Sequence, residues 1–178
     1  MKTHYKALFL CAAVSAIAVS QASALQTNFT FVNGLQGENE ATPNASAGSG
    51  TINTLLYDSE VGSFGTFTVD VDFTGLSSNA TAAHIHGPAA VGVSAGVLQG
   101  LSENGGTSGK ITGSWALSSA TDVDSLFNGL TYINLHSETF GGGELRGQLT
   151  PVPEPSAAAG ILGLCALALV GRRRRSRI

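Results

Sequence analysis

Gly65-Thr66-Phe67-Thr68-Val69-Asp70-Val71-Asp72-Phe73 is the stretch whose reading sets the fold. Apolar side chains fall at 67, 69, 71 and 73 and polar ones at 66, 68, 70 and 72, the period of two that sends successive side chains to opposite faces of a strand. One face suits a core and the other suits water, as in a half-buried antiparallel strand. Working outward, shorter runs of the same kind recur at 27–32, 51–57, 82–86, 96–98, 109–117, 131–137 and 143–150, separated by Gly-, Asn- and Ser-rich turns. One segment departs from the pattern. Thr121 is placed to cap a helix over 122–127, with Asp122 and Asp124 in its first turn and Gly129 as its stop, a crossover that packs Leu126 or Phe127 on the core. The reading is an all-β domain, a Greek-key β-sandwich or flattened barrel with one short helix.

The ends of the chain read as addresses. Lys2 and Lys6 precede an apolar run over 7–19, too short to span a bilayer, and Ala22-Ser23-Ala24 fits signal-peptide cleavage between Ala24 and Leu25. At the other end Val152-Pro153-Glu154-Pro155 leads into an apolar segment over 156–171, closed by five arginines within 172–177. As a helix that segment spans about 24 Å, a marginal membrane anchor, and the arginines hold its end in the cytoplasm. The domain between, 25–151, therefore faces the far side of the inner membrane.

That domain carries two cations, Lys110 and Arg146, against eleven carboxylates, a formal charge of −9 although the whole chain sums to −3. Such a balance excludes a charge-based grip on nucleic acid. Cys11 and Cys165 both lie in the end segments, so the domain has no disulfide, thiolate metal site or cysteine nucleophile. Asp70 and Asp72 alternate with threonines on the solvent face and read as surface charge, Trp115 as core or sheet-edge packing, and the 141–143 glycines as a mobile turn. No catalytic residue is assigned.

The chemistry-bearing residues cluster. His84 and His86 share one face of a strand, and His136 shares a face with Tyr132 and Asn134 on another. Glu144, Arg146 and Gln148 share a face of the last strand. If 131–137 and 144–150 pair, His136, Glu144 and Arg146 come within reach of one another, with Glu144 and Arg146 expected as a structural pair. Two readings of the histidines stand. Three imidazoles on adjoining strands suit copper or zinc, and a polar network at a sheet edge needs no ion.

Two resemblances follow from these residues. Pro153-Glu154-Pro155, the apolar segment and the arginine cluster over 152–178 resemble the PEP-CTERM sorting signal of Gram-negative bacteria, which implies cleavage by an exosortase-type membrane transpeptidase. Leu35-Gln36-Gly37-Glu38, the 65–73 strand, Ala82-Ala83-His84-Ile85-His86-Gly87-Pro88-Ala89, Tyr132-Ile133-Asn134-Leu135-His136-Ser137 and Gly143-Glu144-Leu145-Arg146-Gly147-Gln148-Leu149 resemble the CHRD, or chordin-type, domain. At 40–43 the family's Glu followed by Val-Pro-Pro is only loosely kept. The CHRD resemblance implies an all-β extracellular domain, and it transfers no activity.

The sequence thus points first to a non-enzymatic envelope or extracellular-matrix protein without a cofactor. It is expected to pass through the export machinery and the inner membrane and to bind matrix polysaccharide or another envelope protein. The alternative is a secreted copper- or zinc-binding domain using His84, His86 and His136.

Overall fold

The structure, a computed structural model, describes residues 25–59 and 62–153. The expected signal peptide and membrane helix lie outside the described residues. Eight strands form in chain order: β1 (Leu25–Gln36), β2 (Ser49–Ser59), β3 (Thr66–Thr74), β4 (Ala80–His86), β5 (Val97–Glu103), β6 (Gly109–Ala116), β7 (Tyr132–Ser137) and β8 (Leu145–Pro151). All pair antiparallel and close into a barrel in the order β1-β2-β3-β6-β5-β4-β7-β8. Strands β4, β5 and β6 run as a meander and β7 returns beside β4, a Greek key. Of the two architectures left open by the sequence, the barrel is the one formed.

The alternation in β3 does what its sequence implies. Phe67, Val69, Val71 and Phe73 are buried in the barrel interior with Phe29, Ile85, Ile111, Trp115, Ile133, Leu135, Leu145 and Leu149. Each fully buried side chain of this size stabilises the fold by about 1.5–3 kcal/mol. On the outer side Asp70 and Asp72 meet Lys110 of β6 at 2.6 and 3.0 Å, exposed pairs of small energetic weight.

The helix α1 (Ala120–Phe127) lies in the crossover from β6 to β7. Its cap is Ser119, whose side chain accepts from Asp122 N–H, and not Thr121, which sits inside the first turn. Asp122 in return accepts from Ser118 N–H and hydroxyl at 2.9 Å. Gly129, at φ +70°, ends the helix as expected. Leu126 is fully buried, and the Phe127 ring meets Phe29 and Tyr57 edge-on at 5.4 and 5.0 Å.

A second packed layer lies outside the barrel. The outward side chains of β4, β7 and β8 are mostly polar, and loops reach them: Asn39 and Asn44 donate to Arg146 O and Glu144 O, Ala95 O and Ala90 O meet His86 and Arg146, and Gly141 O meets His136. This layer contains the clustered residues.

Candidate metal centre

Register brings the polar row together. In β4 and β7, His84 stands opposite Asn134 and His86 opposite Tyr132, while Ala82, too small to cover it, faces His136. In β7 and β8, Asn134 stands opposite Arg146 and Tyr132 opposite Gln148. The apolar alternates Ala83, Ile85, Ile133 and Leu135 turn into the core, so the histidines are forced outward together.

Each imidazole is aimed by a definite partner. His86 Nδ1 lies 3.0 Å from Ala95 O, and His136 Nδ1 lies 3.0 Å from Gly141 O. A carbonyl accepts only, so in the neutral rings both Nδ1 atoms carry the proton and both Nε2 atoms keep a lone pair. His84 Nδ1 lies 3.1 Å from His136 Nε2 and donates to it when no ion intervenes. His86 Nε2 is buried with no hydrogen-bond partner. One ligand nitrogen from each ring lies within 4.8 Å of the other two. Tetrahedral zinc with imidazole bonds near 2.0–2.1 Å would hold nitrogens about 3.3 Å apart, so modest closure of the rings suffices.

Electrostatics keep the lone pairs free. Burial pushes the pKa of both His86 and His136 below the ordinary histidine value, and the neighbouring rings add to the effect, with Arg146 as a further contributor at His86. The rings therefore stay neutral into mildly acid solution, the form that binds metal.

Behind His86 stands a stack that sequence reading did not assign. The Tyr132 ring is parallel to His86 at 5.0 Å and 6°, and Arg146 Cζ lies 3.5 Å from the Tyr132 ring centre on a cation–π contact. Tyr132 Oη also accepts from Ala95 N–H at 3.0 Å, fixing the residue whose carbonyl orients His86. Arg146 donates to Gln148 Oε1 and Ala90 O, and Gln148 donates to Ala89 O and Gly129 O, so the 87–96 loop is tied along its length.

Strands β7 and β8 do pair, but Glu144 and Arg146 are not partners. Glu144 Oε1 accepts from Ser46 Oγ at 2.6 Å and Ser77 N–H at 2.7 Å, while the carboxylate acting on Arg146 is Glu40. Glu40, buried and with its pKa raised by that burial, accepts from Asn134 Nδ2 at 2.6 Å. The separation of 94 residues between them leaves no local signal in the sequence. The 141–143 turn, expected only as a connection, supplies the carbonyl that orients His136.

Residues 31–149 match the CHRD domain family, and residues 151–175 match the PEP-CTERM protein-sorting motif. The chain belongs to the CHRD family. The sorting motif makes it a protein that is exported, held transiently at the membrane, processed by an exosortase-type enzyme and delivered to the envelope or beyond. Neither family is an enzyme family. No curated protein and no solved structure is found to match. The sorting signal and the CHRD domain expected from the sequence are thus both found, while the residues at 153–155 are described only at Pro153.

Proposed function

We propose that this exported domain is a non-enzymatic metal-holding module that carries one copper or zinc ion on His84, His86 and His136. The observation behind the reading is the pair of backbone carbonyls at Ala95 and Gly141, which set two tautomers so that both Nε2 atoms keep a lone pair, that of His136 lying 3.1 Å from His84 Nδ1. Metal-binding histidines commonly have their second nitrogen held in this way. The buried and unpartnered His86 Nε2 supports it further, since such an atom costs stability unless something binds it. Neutral imidazoles alone suit copper and zinc better than magnesium or calcium, which prefer oxygen. The matrix-binding role that the sequence favours has no comparable cluster behind it, and holding an ion is compatible with display in a polysaccharide matrix.

The test is elemental analysis of the protein recovered from an exporting host, beside His84→Ala, His86→Ala and His136→Ala combined. About one copper or zinc per chain in the parent and none in the triple variant is the expected result. A parent that holds no metal, and takes up neither ion on titration at micromolar concentration, overturns the reading.

A further inference from the structure

The strands alternate in direction around the barrel, so every connection belongs to one of two poles. Residues 37–48, 75–79, 104–108 and 138–144 close one pole. The β2–β3 connection and the β6–β7 crossover close the other, the β4–β5 connection (87–96, with Val91 and Val93) leaves from and returns to it while running against His86 and Arg146, and both chain exits are there as well: Leu25 pairs with Ser59, and Pro151 pairs with Phe29. Val152 N–H still donates to Asn28 O at 2.8 Å, so the chain is held to the barrel up to the residue before Pro153-Glu154-Pro155. The apolar segment begins at Ser156, four residues further on. Four extended residues reach about 14 Å at most, and one headgroup layer is about 5–8 Å thick. A tail placed in the bilayer therefore keeps this pole within about 6–9 Å of the headgroup surface.

The surface of the pole fits that position. The large apolar side chains that stand exposed among the described residues are Leu25, Val32, Phe64, Val91, Val93, Val97 and Val152. Leu25 at 54 %, Phe64 at 44 %, Val97 at 55 % and Val152 at 41 % belong to the exit pole, and none of the seven belongs to the connections of the far pole. Acidic Glu38, Glu103 and Glu138 lie at the far pole. On the exit pole Asp58 is engaged by Gln26 and Asp122 by Ser118, and these charges with Asp124 limit entry to the headgroup layer.

We propose that the exit pole is a membrane-docking face, with Leu25, Phe64 and Val152 seated among the lipid headgroups of the inner membrane while the tail is inserted. Docking holds the start of the sorting motif at the surface where a membrane-embedded enzyme acts. The proposal stands independently of the metal reading.

The chain from Leu25 to Ile178, with Cys165→Ala, is inserted in phosphatidylethanolamine/phosphatidylglycerol vesicles at about one chain per vesicle. A nitrobenzoxadiazole dye is attached through Ser63→Cys at the exit pole or, in a second preparation, Thr107→Cys at the far pole. The dye at 63 is expected to shift its emission to the blue and to be quenched at least twofold by spin-labelled headgroups, with no change at 107. Combining Leu25→Ser and Phe64→Ser, both exposed and therefore harmless to the core, should remove at least half of that quenching. Equal signals at both positions overturn the proposal, as does quenching that the double variant leaves intact. Shielding at 63 that grows with the number of chains per vesicle also overturns it and identifies a second copy as the occupant.

Discussion

His86 is fixed from three directions: its Nδ1 by Ala95 O, its ring face by Tyr132, and Tyr132 in turn by the guanidinium of Arg146. The hydroxyl of Tyr132 does separate work, because it holds Ala95 through its N–H. Tyr132→Phe keeps the stacked ring and removes only the hydroxyl's bonds to Ala95, accepted from its N–H at 3.0 Å and donated to its carbonyl at 3.5 Å, so metal affinity should fall about tenfold while the far-ultraviolet circular dichroism stays unchanged. Competition against a chromophoric chelator measures it, and an unchanged affinity would show that Ala95 needs no such support. The pH dependence follows from the same burial. His86 and His136 have folded pKa values below the unfolded one, so protons favour the unfolded chain. Their contribution to stability is complete above about pH 6.5 and is lost as pH falls through the lower folded values. Thermal melts of metal-free protein should therefore drop on that acid limb, and the combined His86→Gln and His136→Gln variant should show a flatter one. That His84 and His86 share a face was legible because spacing of two on a strand is a local property, whereas His136 joins them only through the pairing of β4 with β7. The partner of Arg146 was not, since a shared strand face suggested Glu144, whereas Ser46 and Ser77 hold that carboxylate and leave Arg146 to Tyr132.

Whether a segment becomes a strand is decided partly by neighbours, and β5 shows it. Its residues Val97–Glu103 alternate poorly and were expected only over 96–98, yet β4 and β6 flank the segment and supply backbone partners. Strand β1 likewise runs beyond the expected 27–32 through a bulge at Asn33 and Gly34, both at positive φ. By contrast β3 matches its expected residues almost end to end, because its own side chains specify both faces. The helix was placed correctly and capped wrongly. Ser118, Ser119 and Thr121 all offer hydroxyls, and only backbone geometry distinguishes them: Ser119 is extended at φ −151° and ψ 160°, as a cap must be. Ser119→Ala should cost about 1 kcal/mol in chemical denaturation, whereas Thr121→Ala should stay within about 0.5 kcal/mol. Equal losses at the two positions would return the cap to Thr121.

Closure of the barrel rests on β1 meeting β8, a contact between the two ends of the domain that no local pattern announces. A sandwich and a barrel share every strand seen in the sequence and differ in that pairing. It is tight where Gly147 faces Phe31: a Cβ at 147 would overlap the ring, so Gly147→Ala must displace Phe31. The far pole is then drawn together by one buried carboxylate. Glu144, the residue before β8, accepts from Ser46 in the β1–β2 connection and from Ser77 in the β3–β4 connection. Burial alone would raise its pKa, but the hydroxyls of Ser137 and Ser46 and the Ser77 N–H outweigh it and hold the pKa below the ordinary glutamate value. A lowered folded pKa gives stability that is present above the unfolded value, near 4.3, and is lost as pH falls through the folded one. Glu144→Gln keeps an oxygen for both donors and removes the charge, so it should cost about 1–2 kcal/mol at pH 7. Because the carboxylate no longer titrates, the loss of stability between pH 5 and pH 3 should also become shallower. Urea titrations at pH 7, 5 and 3 on the parent and the variant separate these effects. A variant as stable as the parent at pH 7, with the same acid limb, would mean that the loops of the far pole are held by their own backbone bonds and that Glu144 only fills the space between them.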